Sequence, residues 1–381
     1  MHILIAPNAF KNCLSATEVA EAIYEGLKQS SLSFTAECFP IGDGGDGTGS
    51  LIIQKLKGKT VSCEVKDPLG RKITSSFGLI DEERTAVIEM ADASGLRLLS
   101  ANELNPLKAS SYGTGELMKA ALDSGVKKII LCIGGSATVD GGCGILNALG
   151  AKFLNERGKE IMPSPENLLE LASIDTAGLD KRIYDCELII LSDVQNKLLG
   201  KDGAATVFGP QKGASENDVA KLEMMLEKFA SITLKQQGKD ITSIPSGGAA
   251  GGVAAGLFGW LNAKLVNGIN YFLDLTDFNS SLQKANLVIT GEGSIDVQTL
   301  NGKGPFGVAE RAKQKEIPVI GIAGKVPLEK NEGLQQYFDV LLPVGNQPSD
   351  LATALKTSKQ NIIRTAREIG TLLSLKNYLG K

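Results

Sequence analysis

Three short apolar runs near the carboxy terminus, NLVIT at 286–290, IPVIGI at 317–322 and FDVLL at 338–342, are separated by stretches of helical periodicity. Runs of that length are strands, and a helix between consecutive strands carries the chain back to the same edge, so neighbours pair in parallel. A parallel sheet must cover both faces with helices, which makes this part of the chain a layered α/β structure. A final amphipathic helix is predicted over 351–375. Residues 2–6, ending at Pro7, read as a strand of the same kind. The pattern Ser15-Ala-Thr-Glu18 then opens a helix as a capping box, with Val19, Ile23 and Leu27 at helical spacing.

The middle of the chain differs. A strand is expected near 35–41, and from Thr60 to Met90 the period changes to alternation around a Pro68-Leu69-Gly70 turn, which predicts antiparallel strands. Helix, strand and loop follow at 114–124, 128–133 and 134–144, then a strand LIIL at 188–191 and a polar helix over 216–236 opened by Ser215-x-x-Asp218. The uncharged stretch Ile241–Ala263 contains Pro245 and several glycines, so it is expected as a buried glycine-rich loop and helix, not a membrane span. The expected fold class is α/β with two domains. A discontinuous flavodoxin- or Rossmann-like parallel-sheet domain spans 1–60 plus 286–381, and a second α/β domain is inserted at 61–285.

Composition narrows the chemistry. The 381 residues hold 40 Lys and Arg against 43 Asp and Glu, a net charge of −3, which disfavours nucleic acid or an anionic membrane as main partner. The only histidine is His2, so Ser–His–Asp and Cys–His mechanisms and histidine-rich metal sites are excluded. The six cysteines are scattered without a CxxC pair, and MHILIAP has neither a basic n-region nor a long apolar stretch. Both features lead to the expectation of a reduced, cytoplasmic protein.

Four glycine-rich, acid-bearing loops remain. Gly42-Asp-Gly-Gly-Asp-Gly47 formally matches the dinucleotide pattern GxGxxG, but it would press Asp43 and Asp46 against a pyrophosphate. The two aspartates suit Mg²⁺ or substrate hydroxyls, or else cap the following helix. Gly134-Gly-Ser-Ala-Thr-Val-Asp-Gly-Gly142 follows the strand KIILCI. Its small residues let backbone amides of Gly134 and Gly135 approach an anion, Ser136 and Thr138 add hydroxyls, and Asp140 is a metal or base candidate. Gly291-Glu-Gly-Ser-Ile-Asp-Val-Gln298 places Glu292 and Asp296 beyond a strand end and leads to Lys303, a phosphate neutraliser or a solvated surface lysine. Ser192-Asp-Val-Gln-Asn196 offers Asp193 and Asn196 for Mg²⁺ or a hydroxyl. Lys212, in Phe208-Gly-Pro-Gln-Lys-Gly213, and Lys11, beside Asn8, are further loop lysines, for which an exposed position is the ordinary expectation.

A Walker A loop is absent, because Gly58-Lys59-Thr60 has Ile53 where a glycine is required. The protein-kinase set is absent too, since it needs an internal histidine. Anion-cradling loops, several carboxylates, a few lysines and no usable histidine point to phosphoryl transfer. That chemistry needs phosphate clamps, a divalent cation and one carboxylate to take a hydroxyl proton.

The blocks IAPNAFKNCLSA, DGGDGT, VIEMADASGL, YGTGEL, GGSATVDGG, SDVQN, FGPQKGA, GGAAGG, ITGEGSIDVQT and GKGPFG, in that order, resemble the bacterial glycerate kinase family over nearly the whole chain. The resemblance implies an ATP- and Mg²⁺-dependent kinase that converts D-glycerate to 2-phosphoglycerate, with 3-phosphoglycerate as the other possible product. It also implies two α/β domains, one flavodoxin-like and one likened to restriction endonucleases; apart from the resemblance, a monomer or homodimer is expected. On this reading Asp193, Asp296 and Lys11 are catalytic. Gly134, Gly135, Ser136, Thr138 and Lys303 bind nucleotide phosphates, and Asp43, Asp46, Asp140, Asn196 and Glu292 hold substrate or metal. The chain departs from the family where Asn8 and Ala9 replace an Asp-Ser pair, Val139 an asparagine, Lys197 a proline and Ser294 an arginine. A nicotinamide-dependent oxidoreductase of glycerate or tartronate, using the loop at 42–47, and a non-catalytic metabolite-binding protein are the alternatives.

Overall fold

The computed structural model describes residues 1–375; the end of the expected 286–381 segment, residues 376–381, lies outside the described residues. Along the chain run β1 (His2–Ile5), β2 (Thr35–Cys38), β3 (Lys59–Lys66), β4 (Lys72–Ile80), β5 (Thr85–Glu89), β6 (Lys128–Cys132) and β7 (Lys152–Asn155). They are followed by β8 (Glu160–Ile161), β9 (Leu171–Asp175), β10 (Glu187–Ser192), β11 (Lys264–Asn267), β12 (Leu287–Ser294), β13 (Val319–Lys325) and β14 (Val340–Pro343). The chain forms two compact units, Met1–Asp43 with Ile269–Lys381, and Gly44–Gly268.

The first unit is built on a parallel sheet of order β14-β13-β12-β1-β2. Counted within the unit, the order is 2-1-3-4-5, a doubly wound arrangement whose direction of growth reverses between β1 and β12. The apolar runs read as strands supply its centre: Ile3, Ile5, Ile289 and Ile322 are fully buried. The helix Ala16–Lys28 turns Val19, Ile23 and Leu27 onto the sheet. It starts where the capping box requires, with Ser15 Oγ accepting from Glu18 N and Glu18 Oε2 accepting from Ser15 N at 2.8 Å.

The single helix expected over 351–375 is two, Leu351–Lys356 and Ser358–Ser374. At the break, the Thr357 and Ser358 hydroxyls donate back to the carbonyls of Thr353 and Ala354, both at 2.9 Å, a substitution that bends helices. The segment expected as a loop from Gly291 is also different. β12 continues to Ser294, because Gly291, Glu292 and Ser294 pair with Ile322, Ala323 and Lys325 of β13.

The second unit holds a six-stranded mixed sheet of order β11-β10-β6-β5-β4-β3 and a small sheet of order β8-β7-β9. β11, β10, β6 and β5 are mutually parallel, while β4 pairs antiparallel with β3 and β5. The turn between β3 and β4 is the one predicted at Pro68-Leu69-Gly70. The polar helix is Glu216–Gln237, capped by Ser215 and Asp218. The glycine-rich stretch ends in the helix Val253–Leu261, which is buried almost all round, as its composition requires. Among the described residues no helix is long and apolar enough to cross a membrane.

Candidate functional site

Ligands of doubly wound sheets bind beyond the carboxyl ends of the strands, where the strand order reverses. In the first unit that place is the end of β1 and the adjoining β12. Past β1, Asn8 turns inward and its amide Nδ2 donates to Asp43 Oδ2 at 2.7 Å, while Ala9 N closes onto Asn8 Oδ1 at 2.8 Å. Asp43 also accepts from Gly304 N at 3.4 Å, at the start of the helix Gly304–Lys313, which Lys303 precedes without a capping hydrogen bond from its side chain. Asn8, Asp43 and Glu292 are all buried. Glu292 Oε1 accepts from the buried Thr299 hydroxyl at 3.2 Å. Burial pushes the Glu292 carboxyl up to about 7; the Asp43 charge adds to that rise, and Lys303, Thr299 and Lys11 oppose it.

The departure at Asn8 is thus intelligible. An aspartate there would set a third carboxylate against Asp43 and Glu292, whereas the amide supplies a donor. Asp296 is half-buried and caps the turn Val297–Asn301, accepting from Gln298 N at 2.8 Å. Ser294, in the place of an arginine, is 3.5 Å from Asp296 Oδ2. Lys11 is exposed and Lys303 half-buried.

In the second unit the loops after β5, β6 and β10 gather at the carboxyl edge of the parallel strands. Gly44 adopts φ +97, and a Cβ there would lie 2.9 Å from the backbone of Leu191, so only glycine lets this turn rest on the end of β10. Gly134 likewise lies against the backbone of Gly45 and Asp46, and its amide donates to Gly44 O at 3.1 Å. The amide of Ala137 is committed to Ser94 O. Gly134 therefore acts by packing, and the exposed Gly135 with the buried Ser136 and Thr138 remain as the phosphate-facing candidates.

Lys212, expected as a surface lysine, is instead buried, and donates from Nζ to Ser136 Oγ at 2.9 Å and to the Thr138 carbonyl at 2.6 Å. Burial lowers its ammonium to about 7, with the Asp140 charge acting in the opposite direction.

Asp140 does not have the open position expected of a metal or base residue. It is fully buried, and its carboxylate accepts from Ser111 N and Oγ, both at 2.7 Å, from Gly142 N at 3.0 Å and from Gly144 N at 3.2 Å. Those bonds brace the loop; burial raises its pKa and the four donors hold it down. Asp46, in the same glycine loop as Asp43, belongs to the other unit and is exposed, paired with Arg97 at 3.0 Å. Asp193 is half-buried directly after β10, and the Asn196 amide is occupied with Asp202 O at 2.8 Å.

Two residues escaped sequence reasoning. Glu89, buried at the end of β5, accepts from Gly47 N at 2.8 Å and Ser50 N at 2.7 Å, and so caps the helix Thr48–Lys55 that has no capping side chain of its own. Its one sequence signal is an acid closing the apolar strand TAVIE. Arg97 bridges Asp46 and Asp92, and nothing in its local sequence marks it.

The donor set suits a hard cation. Among the described residues no group of three or more His, Cys, Asp or Glu side chains is placed to hold a metal ion, but Mg²⁺ in phosphoryl transfer is held by one or two carboxylates with substrate phosphates and water. The carboxylates of Asp43 and Glu292 are both buried, and the Asp43 charge adds to the cost of ionising Glu292, so the pair would suit such an ion.

The glycerate kinase family model matches residues 3–374. Glycerate kinase of Bacillus subtilis (strain 168) is 43% identical over 375 residues, covering 98% of both chains. Glycerate 2-kinase of Escherichia coli (strain K12) is 41% identical over 379 residues, again with 98% of each chain covered. A crystal structure from Salmonella typhimurium LT2, of a chain assigned as glycerate kinase 2, superposes with a TM-score of 0.81 at 42% identity, covering 99% of both chains.

Proposed function

The chain belongs to the glycerate kinase family and is a kinase; from that premise we propose that it transfers the γ-phosphoryl group of ATP, as its Mg²⁺ complex, to D-glycerate, giving 2-phosphoglycerate. The observation that carries this reading is the buried pair Asp43 and Glu292 at the point where the first unit's strand order reverses, with Lys11 and Lys303 influencing it electrostatically. Two carboxylates in a low-dielectric site ask for a cation, and the lysines favour an anionic substrate beside it.

Asp43 and Glu292 hold Mg²⁺ or glycerate hydroxyls, and Lys11 and Lys303 balance the charge of carboxylate and transferring phosphoryl group. Bound Mg²⁺ supplies neutralisation of the phosphate oxygens. Gly135, Ser136 and Thr138 seat the nucleotide phosphates. Asp193, half-buried and at a strand end, takes the proton of the attacking hydroxyl, while Asp296 is tied down as a cap and positions its turn. Asp46 and Asn196 order their loops through Arg97 and Asp202. The strand order of the first unit supports a flavodoxin-like domain with the second unit inserted in it.

The test is direct. Purified protein is incubated with D-glycerate, ATP and Mg²⁺, and the products are followed by ³¹P NMR. The expected result is a new phosphomonoester signal split by one proton, the pattern of a phosphate on carbon 2; a signal split by two protons places it on carbon 3. ATP left intact at saturating glycerate rejects the reading.

A further inference from the structure

Among the described residues, the buried Lys212 donates only to neutral oxygens, an unusual thing for a fold to keep. Lys212 ends the short turn Pro210–Lys212, remote in sequence from the loop it serves, and only 2% of it is exposed. Of its three N–H donors, one goes to Ser136 Oγ and one to the Thr138 carbonyl. The charged group facing it is Asp140, whose oxygens already accept four protein hydrogen bonds. A second observation lies in the same loop. The Thr138 hydroxyl is completely buried and has no hydrogen-bond partner among the described residues. Buried hydroxyls are nearly always satisfied, and an orphan in the same loop as an ammonium with one donor left marks a place where an anionic oxygen completes both.

We propose that Lys212 is the positioning residue of the nucleotide phosphate seat, clamping Ser136 and Thr138 into an anion-receptive loop and supplying the buried positive charge that draws phosphate to it. This deepens the function proposed above and rests on it. A phosphate oxygen arriving at the loop finds a cation whose field is unscreened by water. The anion in turn stabilises the charged lysine. Since the free ammonium titrates at about 7, nucleotide binding takes up a proton at and above neutral pH, and affinity weakens as pH rises. Asp140 stays braced by its four donors throughout.

The experiment compares wild type, Lys212→Met, Lys212→Arg and Ser136→Ala, with MgATP as the calorimetric probe from pH 6.5 to 9 and steady-state KM values for ATP and D-glycerate. Lys212→Met should weaken MgATP binding at least tenfold near pH 7 while KM for D-glycerate stays within about twofold, and Lys212→Arg should recover part of the loss. The wild-type affinity should fall with pH relative to Lys212→Met. Ser136→Ala should weaken MgATP binding with the pH dependence retained. If Ser136→Ala weakens MgATP binding but Lys212→Met does not, the inference about Lys212 is overturned and the phosphate seat stands. If neither substitution affects MgATP binding, the seat itself is misplaced and both readings fall. Should Lys212→Met not fold, the wild-type profile decides alone: affinity constant from pH 6.5 to 9 overturns the inference.

Discussion

Replacing Glu292 by glutamine turns a buried acid into a neutral group of the same shape, and its effect on stability can be worked out from the site. In the unfolded chain the carboxyl titrates near 4.5; in the fold, burial and the Asp43 charge raise it to about 7. Between those values the folded protein holds a proton that the unfolded chain has released, so stability falls as pH rises through this window and levels off above it. A tenfold change in a proton-binding constant is worth about 1.36 kcal/mol, so the full loss is about 3 kcal/mol.

Glutamine has no such titration and keeps an acceptor for the Thr299 hydroxyl. The stability difference between Glu292→Gln and wild type should therefore be near zero at pH 4.5 and grow to about 3 kcal/mol in favour of the variant by pH 8. Urea unfolding followed by far-UV circular dichroism at pH 5, 6, 7 and 8 measures it, and catalytic turnover of the variant should be strongly reduced at every pH. A difference that stays constant across this range would refute the claim that Glu292 is buried as a high-pKa acid.

Asp140→Ala leaves four buried donors without an acceptor and should cost at least about 3 kcal/mol of stability, read from urea midpoints; a loss below about 1 kcal/mol would show that the loop is not braced there. Gly134→Ala sets a Cβ 2.6 Å from Asp46 N, and should cost about 1–3 kcal/mol and raise KM for ATP, measured by thermal melts and steady-state kinetics. Asp193→Asn should lower kcat by about 10²-fold or more with little change in melting temperature; unchanged turnover removes Asp193 as the base. Asn8→Asp replaces the donor to Asp43 with a like charge, so its melting temperature should drop at pH 8 and recover with millimolar Mg²⁺ more than the wild type's does.

Local features were legible because they depend on residues a few positions apart. The capping boxes at Ser15 and Ser215, the Pro68-Leu69-Gly70 turn and the apolar strands around Ile289 and Ile190 all follow from short-range sterics and hydrogen bonding. The same reasoning placed the glycine-rich loops at 42–47 and 134–142 beyond strand ends. It failed where a distant partner decided the outcome. β12 runs on to Ser294 only because β13 is there to pair with it, and the helix at 216–237 could be read while the small sheet of β7 to β9, held by long-range pairing, could not.

The four acids and one lysine that matter most show the division clearly. Composition and spacing were enough to nominate Asp43, Asp46, Asp140 and Glu292, since a chain without a usable histidine must work with carboxylates and lysines, whereas Lys212 was expected only as a surface lysine. Their fates diverge because desolvation and partners come from remote segments: Asn8 and Gly304 for Asp43, Arg97 for Asp46, Ser111 for Asp140, Thr299 and burial for Glu292, and the 134–138 loop for Lys212. A one-dimensional pattern carries residue chemistry and local geometry, but a group's dielectric surroundings exist only once the chain has packed, and those surroundings decide which charge stays exposed, which braces a loop and which titrates near neutrality.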